Sequence, residues 1–150
     1  MANPRQVIGH GEIDWVRKTY KIDNSTITFD KTKLGGSASC PQSGAYGLLA
    51  VKLSTDDTIA LAEDGDAILG GLELVEGDNF ATVVVSGEDI PFRGGASATL
   101  TLGATIVGAL GASSAKGYIR SAASGTAAEL VKARGAIINN DDTAKVIVRM

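Results

Sequence analysis

The chain has 150 residues, a formal net charge of −3 and one cysteine, Cys40. This length fits a single domain with a substantial core, and one cysteine excludes an intrachain disulfide framework. A net acidic chain without a dense cluster of Lys and Arg argues against nucleic-acid binding. The N-terminal sequence MANPRQVIGHGEIDW has no apolar run, so we expect no secretory signal. The uncharged stretch 94–115 is mostly Gly, Ala, Ser and Thr, so we expect no membrane span.

The N-terminal part of the chain, residues 1–44, is predicted to be an arm with a hairpin and a linker. Residues 1–12 contain one proline and two glycines and look irregular. Residues 13–22 are predicted to form a strand, and an Asp-Asn-Ser turn leads to a second short strand at 26–29. The two strands would make a hairpin. Residues 31–44 are rich in Gly and Ser, which is typical of a linker or a long loop.

Residues 45–150 are predicted to form a β-rich domain. Through residues 50–85, short apolar runs alternate with acidic, Gly-containing turns, a pattern typical of a small sandwich or barrel. The later predicted elements are an edge strand at 90–93 containing Pro91, strands at 98–102, 104–107 and 117–120, a helix at 126–133, and a closing hairpin of 136–138 with 145–148. The sequence therefore predicts an all-β fold, a small β-barrel or sandwich-like domain with one short helix and an extended N-terminal arm.

Side chains that could carry catalytic or metal chemistry are few and poorly arranged. His10 is the only histidine and lies between glycines, so we interpret it as a loop residue rather than an acid–base group or zinc ligand. The one histidine that could activate the thiol of Cys40 is His10, thirty residues upstream, so we interpret Cys40 as a buried or loop thiol. The Asp-Gly-Asp run at 64–66 and the Asp pair at 56–57 lack the ordered spacing of a calcium loop, and we interpret both as turn residues. We predict no enzyme activity, no cofactor and no metal.

Charge is unevenly distributed along the chain. Residues 41–92 contain 1 Lys and 10 Asp or Glu, giving −9. Residues 1–40 carry +2 (6 basic, 4 acidic) and residues 93–150 carry +4 (7 basic, 3 acidic). The acidic block at 56–89 is either a set of solvated turns that keep strand edges from pairing wrongly or an acidic outer face, and we favour the turns.

Several segments occur in an order that resembles a known family. They are AVKL, TIALAEDGDAILGGLE, VEGD, PFRGGASATLTLGATIVG, GYIRSAAS, AELVKARGAIINNDD and AKVIVRM, all within residues 45–150. In this order the chain resembles the capsid decoration, or cement, proteins of tailed bacteriophages. The resemblance implies a β-rich domain on the outer surface of an expanded virion capsid. It also implies that the domain binds the major capsid protein, clusters as trimers at local threefold positions and stabilises the shell against internal DNA pressure.

The resemblance further implies an N-terminal arm that orders on the capsid and adds strands to the major capsid protein. The leader of this chain carries aromatic residues and a charge opposite to that of the acidic block, which makes it our candidate for such an arm. Main-chain hydrogen bonds would supply affinity and alternate side chains would supply anchors. The predicted capsid-contact residues are Val7, Ile8, Ile13, Trp15, Val16, Tyr20 and Ile22. On this hypothesis, deleting residues 1–22 abolishes capsid binding and leaves the core folded.

An alternative of another class is a surface- or carbohydrate-binding β module of a virion fibre or adhesin. Such a module needs an exposed aromatic platform, and aromatic residues make up only 5% of this chain. Trp15 and Tyr20 could stack on a sugar, although two aromatic residues in one strand more often belong to a core or an interface. The exposure of the aromatic side chains therefore separates the two interpretations.

Overall fold

The computed structural model describes residues 15–41 and 44–150, which form an all-β domain with one short helix, as predicted. The strands are β1 Val16–Ile22, β2 Leu49–Thr55, β3 Thr58–Leu61, β4 Gly70–Val75, β5 Phe80–Ser86, β6 Ile90–Phe92, β7 Ile106–Ala109, β8 Tyr118–Ser121, β9 Ala136–Asn139 and β10 Val146–Arg149. The helix, α1, is Ala127–Lys132. In this part of the chain no helix is long and apolar enough to cross a membrane.

Five strands close into a barrel in the order β1-β3-β2-β4-β5, and β1 pairs with β5 to complete the ring. The β2–β3 and β4–β5 pairs are antiparallel hairpins with acidic turns. Their tips contain Asp57 and Asn79 at φ 54° and 65°, left-handed values that Asp and Asn tolerate better than most residues. β1 and β3 are parallel, with Lys21 opposite Thr58. The acidic block of the sequence is thus largely the turns of this barrel.

Parts of β2 and β5 are apolar on both faces because they separate two cores. Successive side chains in a strand point to opposite faces. In β5, Val83 belongs to the core inside the barrel and Val84 to a second core outside it. In β2, Val51 points inward and Ala50 outward in the same way. This arrangement explains the nearly continuous apolar runs of residues 50–85.

The second core lies between the barrel wall and two smaller sheets. One sheet has the order β6-β10-β9 and the other is the β7-β8 pair. Phe92 in β6 is fully buried, and an isolated bridge joins it to Leu48 beside the barrel. The predicted edge strand with Pro91 is confirmed, since β6 lies at the edge of its sheet with Pro91 opposite Ile147. The predicted closing hairpin is also confirmed, as β9 pairs antiparallel with β10.

The predicted N-terminal hairpin is wrong. Residues 26–29 form no strand, and β1 pairs with the distant β5, with Lys21 opposite Phe80 and Val16 opposite Ser86. The carboxylate of Asp23 accepts hydrogen bonds from the Ser25 hydroxyl (2.6 Å) and the Thr26 amide (3.1 Å), which turns the chain inward. Ile27 then enters the barrel core with no exposed surface. Residues from Trp15 onward therefore belong to the domain, and residues 1–14 of the predicted arm lie outside the described residues.

A second difference concerns residues 98–102, which are irregular rather than a strand. The amide of Thr101 donates to the Ser121 hydroxyl (2.8 Å), and the amide of Ser121 donates to the carbonyl of Thr99 (2.9 Å). These hydrogen bonds take the place of a regular β-ladder and hold the segment beside β8. The predicted strand at 104–107 begins only at Ile106, as β7. The predicted helix at 126–133 is confirmed in α1.

Candidate interaction surface

The predicted capsid-contact residues lie in β1 or before it. Val7, Ile8 and Ile13 lie outside the described residues. Of the others, Val16 is the most accessible, with 46% of its surface exposed. Arg17, Lys18 and Thr19 are also exposed, so the first part of β1 presents a mostly polar surface to solvent.

Trp15 is held against the domain. Its indole N–H donates a hydrogen bond to the carbonyl of Glu88 (2.7 Å), and its ring packs against the second core. The guanidinium of Arg17 lies over the same ring, 5.3 Å from its centroid, within the range of a cation–π interaction. In this position Trp15 fixes the start of β1, and only part of its ring is available to a partner.

Arg17 and Glu73 form an ion pair that joins β1 to β4 over β5. The guanidinium Nε and Nη2 donate to the two carboxylate oxygens of Glu73 at 2.7 and 3.1 Å. Both side chains keep about a third of their surface exposed (36% and 31%), so the pair stabilises the fold by no more than about 1 kcal/mol. The two hydrogen bonds nevertheless hold the Arg17 side chain across β5, on the exposed side of β1.

Two of the predicted anchors face the interior instead. Ile22 is 5% exposed and belongs to the barrel core, so the prediction that it contacts a capsid protein does not fit its position. Tyr20 is half-buried and packs against the same core. Alternation along β1 places these two side chains on the inner face, which the sequence pattern alone could not distinguish from the outer one.

The acidic turn at residues 63–66 is neutralised by cations from other elements. The ammonium of Lys52 in β2 lies 2.7 Å from Asp66, and that of Lys116 lies 2.7 Å from Glu63. Hydrogen bonding from Lys116 lowers the pKa of Glu63. Burial opposes ionisation of Asp66, but the Lys52 ammonium and the Glu63 amide outweigh it, and the pKa of Asp66 is lowered. These carboxylates therefore act as partners of lysines in a structural turn.

Arg120 in β8 binds the third carboxylate of this turn and also α1. Its Nε donates to Asp64 (2.9 Å), and its two terminal nitrogens donate to Glu129 (3.0 and 2.5 Å). The amide of Ala123 donates to the same Glu129 carboxylate (3.0 Å). Together, the Arg120 hydrogen bonds and then that amide lower the pKa of Glu129 to about 2. The cluster connects the 63–66 turn, β8 and α1.

Backbone contacts reinforce the same junction. The amide of Gly65 donates to the carbonyl of Gly108 in β7 (2.9 Å), and the amide of Gly108 donates to the carbonyl of Asp66 (2.8 Å). A Cβ on Gly108 would lie 2.1 Å from the Glu63 carbonyl oxygen. Glycine is required here because the two backbones approach too closely for any side chain.

The remaining candidates for chemistry do not assemble into a reactive site. Cys40 has no exposed surface, and burial raises the pKa of its thiol to about 11, so it is protonated and inaccessible at neutral pH. His10 lies outside the described residues. Within residues 15–41 and 44–150, no group of three or more His, Cys, Asp or Glu side chains could hold a metal ion.

Comparisons with known proteins add no relative. No protein-family model, no curated protein and no solved structure matches this chain.

Sequence reasoning missed the ion-pair junction around the 63–66 turn. The acidic run itself was visible, but its partners Lys52, Lys116 and Arg120 are isolated residues in three other segments. Only the excess of basic residues after residue 92 indicated that cations would be available to the acidic block.

Proposed function

We propose that this chain is a structural capsid decoration protein that binds the outer surface of an expanded phage head and bridges neighbouring capsid subunits. Two features support the proposal: the order of sequence segments that resembles the cement proteins, and the compact all-β domain that such a protein requires. On this proposal the partner is the major capsid protein, and the decoration protein clusters as trimers on the shell.

The structural observation that most favours an arm is the exposed start of β1, the strand that follows the leader in sequence. β1 is hydrogen-bonded to β5 along its length, and Trp15 fixes its start. Its first side chains, Val16 to Thr19, are exposed. An arm of residues 1–14 would thus be attached to a strand paired within the barrel, and could pair with a capsid strand through main-chain hydrogen bonds. Val7, Ile8, Ile13 and Val16 remain the proposed anchors.

The mechanism is stabilisation by preferential binding. A protein that binds the expanded shell, but not its separated subunits, favours the assembled state by mass action. Each arm that contacts a neighbouring capsid subunit adds one more contact that must break before the shell opens. No chemical step is involved.

Co-sedimentation with undecorated heads of the phage that encodes the protein tests this proposal. We expect saturable binding to expanded heads, at a fixed copy number per capsid subunit, and no binding to unexpanded procapsids. A variant lacking residues 1–14 should lose binding and still unfold in a cooperative transition, because it keeps β1. A control with residues 2–14 in scrambled order separates the need for specific anchors from the need for length. Absence of binding to both forms of the head would refute the proposal.

The alternative of a carbohydrate-binding module has less support. Among the described aromatic side chains only Phe29 and Tyr46 are exposed, at 40% and 52%. The guanidinium of Arg93 lies over the Tyr46 ring, 5.3 Å from its centroid, and occupies one face of it. A sugar platform needs an open aromatic face, so we do not advance this function.

A further inference from the structure

Two shallow grooves meet at Leu53, near the end of β2. One is lined by Lys52, Leu53, Asp66, Ala67, Ile68, Leu69, Lys132 and Arg134. The other is lined by Tyr20, Leu53, Ser54, Thr55, Asp56 and Asp57. Leu53 is 54% exposed and belongs to both grooves. We call this continuous surface the Leu53 patch. Its centre is apolar, and its two sides differ in charge.

The first side of the Leu53 patch is basic. Lys52 is neutralised by Asp66 at 2.7 Å. Lys132 is exposed, and among the described residues no carboxylate lies within ion-pair distance of its ammonium. The guanidinium of Arg134 donates to two neutral groups, the carbonyls of Leu69 (3.2 Å) and Val85 (2.9 Å). Two positive charges on this side therefore have no counter-charge in direct contact within the described chain.

The second side of the patch is acidic. Asp56 and Asp57 form the tip of the β2–β3 hairpin, and both are exposed. Neither carboxylate forms an ion pair in the part of the chain that the structure describes. The main chain of this tip bonds to the rest of the domain, since the carbonyl of Asp57 accepts a hydrogen bond from the Lys21 amide (2.8 Å). Both carboxylates are left to face outward.

We propose that the Leu53 patch is a two-fold contact between two copies of this chain. A two-fold axis near Leu53 brings the basic side of one copy opposite the acidic side of the other, and does so twice. The exposed Leu53 side chains of the two copies meet at the centre, and this contact removes their apolar surface from water. A second copy is the partner that fits, because the patch contains both halves of a complementary charge pattern around its own apolar centre.

This contact goes beyond the proposed function and does not rest on it. A two-fold contact also differs from the threefold clustering expected on a capsid, so the isolated protein in solution can test it. The patch is small compared with stable dimer interfaces, so we expect a weak dimer in rapid exchange. Self-association of the chain should weaken as the salt concentration is raised, since the complementary charges lie near the surface and are screened.

Sedimentation equilibrium of charge-swapped variants tests the proposal. Lys132→Glu cancels the net positive charge of the first side, because Arg134 remains positive and Lys52 remains paired with Asp66. Asp56→Lys combined with Asp57→Asn makes both sides basic, and Asn tolerates the left-handed backbone at position 57. A two-fold contact contains each altered pair twice, so each variant should weaken self-association by about tenfold or more. An equimolar mixture of the two variants should form a heterodimer, because the unaltered acidic side of one chain meets the unaltered basic side of the other.

Lys31→Glu and Asp141→Lys provide matched controls, because both residues are exposed and lie outside the Leu53 patch. These variants should associate as the original chain does. The proposal is overturned if the original chain stays monomeric up to about millimolar concentration, which would leave the patch to another partner. It is also overturned if the mixed variants stay monomeric, or if the species formed is a ring of three. None of these results bears on binding to expanded heads.

Discussion

Deletion of residues 1–22 should unfold the domain rather than remove a dispensable arm. The perturbation takes away β1, which pairs with β5 and closes the barrel. It also removes Ile22 from the barrel core and the Trp15 contact with the second core. Deletion of residues 1–14 removes none of these groups. The two deletions together therefore separate a folding defect from a binding defect.

The size of the effect follows from what β1 contributes. Burial of Ile22 stabilises the fold by about 1.5–3 kcal/mol, and its loss would leave a cavity lined by the other barrel strands. Each main-chain hydrogen bond between β1 and its neighbours adds about 1 kcal/mol net, and the pairing with β5 extends from Val16 to Lys21. The total exceeds about 5 kcal/mol, the lower end of the stability of a domain of this size.

Urea denaturation followed by far-ultraviolet circular dichroism is the assay, since the deletion removes the only tryptophan and rules out its fluorescence. The 1–14 deletion keeps β1 and should unfold in a cooperative transition. The 1–22 deletion should show no cooperative transition. A 1–22 deletion that unfolds cooperatively at an unchanged midpoint would refute the inclusion of β1 in the folded barrel.

Three further predictions concern the junction and the core. Gly108→Ala should lower the melting temperature by several degrees, because the new Cβ would lie 2.1 Å from a backbone oxygen; Gly125→Ala, where nothing lies within 4 Å, is the control and should be nearly neutral. The pKa of Glu129 is lowered from 4.5 to about 2, so its contribution to stability is complete above pH 4.5 and is lost as the pH falls toward 2. In the Arg120→Gln variant, the melting temperature should depend less steeply on pH between pH 4.5 and 2 than in the original chain. An unchanged slope would contradict the conclusion that Arg120 lowers the pKa of Glu129. Cys40 should react with a thiol reagent only as fast as the domain opens, in parallel with unfolding measured by circular dichroism, whereas rapid labelling of the native state would exclude its burial.

Local signals in the sequence were sufficient for much of the fold. The Asp pair at 56–57 located the β2–β3 hairpin, the acidic Gly-containing turn at 76–79 located the β4–β5 hairpin, and the Ala-rich run with a glycine after it located α1. The pairing of β1 with β5 could not be predicted in this way. Residues 13–22 and 26–29 looked like neighbours in a hairpin, but Asp23 and Ile27 redirect the chain into the core. Pairing between distant segments depends on which faces are buried together, and a local pattern contains no such information.

The inward positions of Tyr20 and Ile22 could not be predicted for the same reason. Trp15, Tyr20 and Ile22 were attractive anchors because they are large and apolar, yet the same property draws side chains into a core. The ion pairs of Lys52 and Arg120 were unpredictable because their partners come from other elements. Sequence located the acidic turn, and only the three-dimensional arrangement shows that it joins β2, β8 and α1.

The barrel wall shared by the two cores limits how this protein can be divided for engineering. A closed ring of strands suggests a portable module that could be cut out after Ser86. Such a fragment would have every strand paired and yet would expose Ala50, Ala62 and Val84, which now face the second core. The strands of the barrel satisfy one another's main-chain hydrogen bonds, but their outer apolar side chains need the second core to be buried. A peptide displayed on this scaffold therefore belongs in an exposed turn such as the one at Asp141, and not at a cut between the two cores.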